Sequence, residues 1–176
     1  NVFGTKNLVE ASMGNNINRF VLISTDKAVE PASIYGMSKA IAEDIVLSHN
    51  ETNGAFMVAR FGNVLGSRGS ILPLFRKQIL EGGPVTITDP EASRFFMTIP
   101  EAASLVLKAG GVGENRNLYI LDMGEPICIR ELAEQMIKFH GYRPYSEIPI
   151  TYIGLRPGEK VKERLWSNDD ALIETE

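Results

Sequence analysis

The chain has 176 residues, 44% hydrophobic and 23% charged, a balance that suits a globular domain and excludes a disordered or fibrous segment. Eighteen Lys and Arg against 22 Asp and Glu give a net charge of −4, which argues against a general nucleic-acid binder and leaves any anionic ligand to local arginines. The single Cys128 cannot form an intrachain bridge, and no apolar run approaches the roughly 18 residues that span a bilayer, so a cytoplasmic protein, or the cytoplasmic part of a larger membrane-anchored one, is expected.

Val2, Leu8, Val9 and Ala11 have helical spacing and predict a helix that stops at Gly14-Asn15. A first residue that is Asn rather than Met, with helical spacing from the outset, reads as a chain beginning inside an element of something longer. Phe20-Val21-Leu22-Ile23, ending at Ser24-Thr25, predicts a strand buried on both faces, as in parallel sheets. Ile41, Ile45 and Val46 share one face of a helix expected over 35–49, and Phe56-Met57-Val58-Ala59 is the next buried strand. Helix, strand, helix, strand implies crossover units and an α/β fold, part of a doubly wound Rossmann-like parallel sheet.

Shorter elements follow. A helix is predicted over 71–80, stopped by Gly82-Gly83-Pro84, then a short strand at Val85-Thr86-Ile87. Pro100 suits the first turn of a helix carrying Ala103, Leu105, Val106 and Leu107; a strand over 118–121, a helix over 129–140 and a strand over 148–153 complete the chain. A boundary is expected within 62–69, where sheet-like alternation gives way to a lobe of mixed small elements, dividing residues 1–62 from a smaller mixed α/β lobe, 63–176. Cys128, between Ile127 and Ile129, is expected in the core, and His49 and His140 fall near helix ends, where the dipole favours them.

Ligands of open α/β sheets sit beyond the carboxyl ends of strands, which singles out Ser24-Thr25-Asp26-Lys27. Tyr35 and Lys39 are four apart and share a helical face. A phenol is a poor base at neutral pH unless a nearby positive charge stabilises the phenolate, and Lys39 has the spacing to supply it. Taken alone, these are as readily an exposed aromatic beside a solvated lysine, a turn-forming threonine and a surface ion pair.

The longer pattern is more specific. Ser24-Thr25-Asp26-Lys27-Ala28-Val29, Tyr35-Gly36-Met37-Ser38-Lys39, the run from Arg60 through Gly62-Asn63-Val64-Leu65-Gly66-Ser67-Arg68-Gly69-Ser70, Arg94-Phe95-Phe96-Met97-Thr98 and Gly154-Leu155-Arg156-Pro157-Gly158-Glu159-Lys160 occur in order. Together they resemble the extended short-chain dehydrogenases/reductases, and within them the nucleotide-sugar 4,6-dehydratases of polysaccharide biosynthesis. The resemblance implies NAD(P) as cofactor, with Ser24, Tyr35 and Lys39 against it, and a UDP-N-acetylhexosamine as substrate. It implies that Tyr35 takes the C4 hydroxyl proton with Lys39 beside it, Thr25 holds the C4 oxygen, Asp26 protonates the departing C6 hydroxyl and Lys27 is the base at C5, where related dehydratases carry glutamate. Asn63, Ser67, Arg68, Ser70, Arg94, Arg156 and Glu159 would hold the nucleotide sugar. The Gly-x-x-Gly-x-x-Gly turn with which such enzymes open does not occur in these residues, so the chain is expected to be a C-terminal piece that binds NAD(P) weakly or not at all by itself. A homo-oligomer is expected, with no nucleic-acid partner and no metal. A nucleotide-sugar 4-epimerase, or a non-catalytic UDP-sugar-binding module, are the alternatives.

Overall fold

The computed structural model describes residues 1–49, 54–67, 69–168 and 170–175. They form two compact units: Asn1–Phe61 with Lys108–Leu121 and Arg164–Glu176, and Gly62–Leu107 with Asp122–Glu163.

The first unit holds α1 (Val2–Gly14), β1 (Arg19–Thr25), a single 3₁₀ turn (Asp26–Ala28), α2 (Ile34–Leu47), and β2 (Ala55–Phe61). It also holds the end of α4 (Ile99–Val112) and β7 (Leu118–Ile120). The strands make a parallel sheet in the order β1-β2-β7, with Phe20 opposite Phe56 and Val58 opposite Leu118. Parallel neighbours need covering elements on both faces. On one face Val9 of α1 and Val46 of α2 pack with Phe56 and Val58, and the Phe20 ring stacks on Phe56 at 5.2 Å between centroids. On the other, Gly110 lies against Val21 and Gly113 against Met57 so closely that a Cβ at either would press on those side chains.

β2, the middle strand, is buried from Phe56 to Phe61. β1 departs from the expectation of burial on both faces: only Ser24 is buried and Ile23 is 51% exposed. The cause is topological, because β1 stands at the edge of the sheet among the described residues.

The second unit builds its core from helices and very short strand pairs. β3 (Asn63–Val64) runs parallel to β6 (Phe96–Met97), β4 (Val85–Ile87) parallel to β9 (Ile150–Tyr152), and β5 (Ser93–Arg94) antiparallel to β8 (Ile127–Cys128). α3 (Ile71–Leu80) and α5 (Ile129–Phe139) contribute Phe75, Ile79, Ile129, Ala133 and Ile137 to a cluster completed by Val85, Ile87, Ala92 and Ile148. Ile129 takes the core position, and Cys128, expected there, is only half-buried at the helix N-terminus, its Sγ 3.9 Å from the Pro90 carbonyl. His49 and His140 do end their helices, each with Nδ1 against a backbone oxygen of the last turn, Ile45 and Met136 respectively. Among the described residues no helix is long and apolar enough to cross a membrane, and no His, Cys, Asp and Glu cluster could hold a metal ion.

One close approach sets the start of α2. Ser33 caps the helix, its Oγ accepting the Gly36 N–H at 3.1 Å, and a Cβ added at Gly36 would collide with the Lys27 carbonyl. In a free helix Gly→Ala is worth about 1 kcal/mol of stabilisation. Gly36→Ala is instead expected to destabilise by about 1–3 kcal/mol, because the clash is with backbone; a neutral or raised urea midpoint would show that α2 does not rest on the turn. A second expectation concerns the β1 edge, whose unpaired backbone groups and exposed Ile23 invite pairing. Light scattering of the 176-residue chain should show self-association that a proline at Leu22 weakens; a strictly monomeric chain would remove the edge from consideration.

Candidate active site

At the end of β1 the chain turns sharply and brings two polar side chains onto one carboxylate oxygen. Thr25 Oγ1 donates to Asp26 Oδ1 at 2.8 Å and also accepts the Lys27 N–H at 3.4 Å, capping the 3₁₀ turn. Lys27 Nζ donates to the same Oδ1 at 2.9 Å. This is no surface ion pair: the Asp26 side chain is fully buried, and Lys27 is half-buried. The other carboxylate oxygen, Oδ2, is buried without a hydrogen-bond partner among the described residues, as is the Ser24 Oγ. Orphaned buried acceptors are rare in folded proteins and gather where a ligand, a water or a proton is to be received.

Tyr35 and Lys39 enter from the first turns of α2. The Tyr35 ring is half-exposed, and its backbone carbonyl accepts from Ser38 Oγ at 2.8 Å. Lys39 Nζ reaches back to β1 and donates to the Ile23 carbonyl at 2.9 Å. Burial holds the Lys39 amine below the usual lysine range, and the negative charge of Glu43 partly offsets this. The structure therefore brings Ser24, Thr25, Asp26, Lys27, Tyr35 and Lys39 into one unit, on a strand end and the helix packed against it.

In the second unit Arg94 is 8% exposed and directs its fork inward. Nη1 donates to the Ser93 and Val161 carbonyls, both at 2.8 Å, and Nη2 to Glu159 Oε1 at 3.1 Å. Glu159 Oε1 also accepts from Thr88 Oγ1 at 3.0 Å, and Oε2 accepts the Arg156 N–H at 3.2 Å. These bonds fix a loop in which Gly154 and Gly158 take positive φ of 83° and 79°, leaving the Arg156 side chain exposed. Asn63 is half-buried in β3. Ser67 is exposed and bonds the Val64 carbonyl at 2.9 Å. Ser70 precedes α3 with its Oγ buried and unpartnered among the described residues, after Gly66 and Gly69 at φ of 79° and 75°. Arg68 lies outside the described residues.

The sequence reading assigned no role to Glu43 or Arg60. Arg60 Nε and Nη2 hold the two oxygens of Glu43 at 3.1 and 2.6 Å, and Nη1 donates to the Leu165 carbonyl at 3.0 Å. The signal was present: an arginine closing the apolar run of a buried strand must find a buried acid.

The family described as "Polysaccharide biosynthesis protein" matches residues 1–176. "Capsular polysaccharide biosynthesis protein CapD" of Staphylococcus aureus is 48% identical over 172 residues, 97% of this chain and 28% of that protein. A "UDP-glucose 4-epimerase" of Rickettsia canadensis is 38% identical, covering 97% of this chain and 50% of its own length. The structure of Pen from Bacillus thuringiensis superposes with a TM-score of 0.88 at 37% identity, over 96% of this chain and 54% of that one. DesIV, a dTDP-glucose 4,6-dehydratase from Streptomyces venezuelae solved with NAD and TYD bound, gives a TM-score of 0.81 over 94% of this chain and 56% of its own. At 23% identity that likeness is one of fold alone, a Rossmann-like α/β fold. The chain thus spans between 28% and 56% of the length of these relatives. Matched from its first residue to its last, it belongs to the polysaccharide biosynthesis protein family.

Proposed function

We propose that the protein of which this chain is a part is an NAD(P)-dependent nucleotide-sugar 4,6-dehydratase acting on a UDP-N-acetylhexosamine. The observation that carries this reading is the convergence of Thr25 and Lys27 on the buried carboxylate of Asp26. Dehydration across C5 and C6 removes a proton from one carbon and delivers one to the oxygen leaving the other. A proton passed from the Lys27 ammonium to Asp26 Oδ2, which has no partner among the described residues, would turn the pair into a neutral amine, the base, and a carboxylic acid, the acid, one contact apart.

The donors present suit the nicotinamide end of a dinucleotide: the Ser24 Oγ, without a partner among the described residues, the exposed Tyr35 phenol and the Lys39 amine would hold it. Bound there, NAD(P) supplies a hydride acceptor at C4 of the sugar and a hydride donor at C6. Tyr35 removes the C4 hydroxyl proton, with the Lys39 amine stabilising the phenolate. Thr25 holds the C4 oxygen, so that the ketone formed acidifies the C5 proton. Lys27 takes that proton, and Asp26 protonates the C6 hydroxyl as it leaves. Asn63, Ser67, Arg68, Ser70 and Arg156 are assigned to the nucleotide diphosphate. Arg94 and Glu159 act with them by holding the loop that presents Arg156. Residues 1–62 form part of the nucleotide-binding domain and 63–176 lie mainly in the substrate lobe, in a homo-oligomer.

The second reading, a 4-epimerase that re-reduces the ketone at C4, is favoured by the 38% identical UDP-glucose 4-epimerase. The two part at Lys27. In the full-length protein Tyr35→Phe should abolish both cofactor reduction and product formation. Lys27→Ala should still reduce the cofactor but lose water about 10²–10⁴-fold more slowly, leaving a persistent nicotinamide absorbance beside a 4-keto sugar in a single turnover. Dehydration at an undiminished rate in Lys27→Ala would remove Lys27 from the mechanism. Clean 4-epimer without a 6-deoxy-4-keto product from the unaltered protein would establish the epimerase.

A further inference from the structure

Tyr35, Lys39 and Glu43 recur at intervals of four along α2, so a phenol, an amine and a carboxylate line one stripe of the helix. The amine therefore has an acid on each side of it. A carboxylate four residues from a lysine on a helix attracts the ammonium, and a buried, unpaired one does so the more strongly. Here Glu43 does not capture Lys39. Both of its oxygens are occupied by the Arg60 fork, and the guanidinium is fixed at its third nitrogen by the Leu165 carbonyl. Lys39 is left to donate to the Ile23 carbonyl, two residues before Thr25.

We propose that Arg60 is a positioning residue for the Tyr35–Lys39 pair: by occupying Glu43 it withholds that carboxylate from Lys39 and leaves the amine at the end of β1. The inference rests on the reading of Tyr35 and Lys39 as the reacting pair. The other charged groups of α2 and the elements packed on it are Lys6 and Glu10 of α1, which pair with one another, Arg19 of β1, which donates to the Gly113 carbonyl, Asp44 of α2 itself, and Asp26 and Lys27 on the turn, bonded to one another. Glu43 is accordingly the anion whose charge acts on Lys39. A buried ion pair adds little net stability over an apolar pair of similar volume. β2, apolar from Phe56 to Ala59, had no need of an arginine for packing alone.

Competitive labelling of the 176-residue chain with a limiting amine-acylating reagent, read by mass spectrometry at Lys39 with the other lysines as internal controls, tests this. Arg60→Met should lower Lys39 labelling at neutral pH by about tenfold, the factor of one pKa unit, because the freed Glu43 captures the ammonium. Arg60→Met combined with Glu43→Gln should restore labelling to the original level or above it. Labelling that stays low in the double variant, or falls equally at all lysines, would reduce the pair to a structural role and overturn the proposal. Should Arg60→Met fail to fold by circular dichroism, Arg60→Lys carries the test, since it keeps a cation beside Glu43 but lacks the fork that closes both carboxylate oxygens. Its Lys39 should label several-fold more slowly, and unchanged labelling overturns the proposal. Labelling reads only the coupling of Arg60 and Glu43 to Lys39, whereas loss of cofactor reduction in Tyr35→Phe reads the catalytic assignment, so either fails without the other.

Discussion

The contact between the first turn of α2 and the Lys27 carbonyl is the constraint on which the candidate site depends. A strand end and a helix start are joined by only a few residues, and any side chain larger than hydrogen at Gly36 would hold them apart. Two consequences follow from the same proximity. The Lys39 amine can reach back across the gap to the Ile23 carbonyl, and the Asp26 carboxylate is sealed beneath the helix with one oxygen satisfied and the other not. A buried carboxylate held in this way is costly in isolation and tolerable only with cations and hydroxyls gathered on it. Thr25 and Lys27 are those groups, and the packing that closes the turn brings them together.

The second unit reaches order by other means. Its strands are two or three residues long and contribute few ladder bonds, so the loops are fixed by side chains that bond backbone. Arg94 exemplifies this: a guanidinium with the geometry to grip a phosphate is spent on two carbonyls and on Glu159, and Glu159 in turn on Thr88 and the Arg156 amide. A planar fork satisfies several acceptors of an irregular loop at once, which an ammonium on a flexible stem does less well. Arg156 joins that network through its backbone amide, and its residue is exposed to solvent.

Much of the architecture was legible because period and punctuation agreed. Phe56 to Ala59 reads as a buried strand and is one, the helices Val2–Gly14 and Ile71–Leu80 stop at or just before the glycines expected to end them, and Pro100 lies in the first turn of Ile99–Val112. What was not legible depended on order in space. The run Phe20 to Ile23 resembles Phe56 to Ala59 in composition, yet one is an edge and the other a centre, and hydropathy does not distinguish them. The return of residues 108–121 to the first unit, adding β7 beside β2, leaves no local mark either. Cys128 misled because its neighbours are apolar, although in a two-residue strand that runs straight into a helix the next residue, Ile129, takes the core position. Within the site, the motif Ser24-Thr25-Asp26-Lys27 was readable as a motif, but that Asp26 is fully buried with an open oxygen was not, since burial arises from Gly36 packing against a turn of distant appearance.

The choice between dehydration and epimerisation comes down to an inventory of protons. Oxidation at C4 and reduction at C4 each move one proton at one oxygen, and a single phenol with a lysine behind it serves both directions. Loss of water from C5 and C6 moves two more, from carbon and to oxygen, at positions one bond further along the sugar. Under the proposed reading, a site confined to epimerisation gains nothing from a buried acid and an amine bound to each other beside Thr25, and burying that acid carries a desolvation cost. This chain meets that cost at Asp26 and adds Lys27 to it. Under the proposed reading the same logic extends to Arg60: a second carboxylate, Glu43, acts on Lys39, and one that is not part of the proton inventory must be kept out of it. The arrangement of charges along α2 and β1 is thus ordered by which carboxylate is left open and which is closed, with Asp26 the open one and Glu43 the closed one.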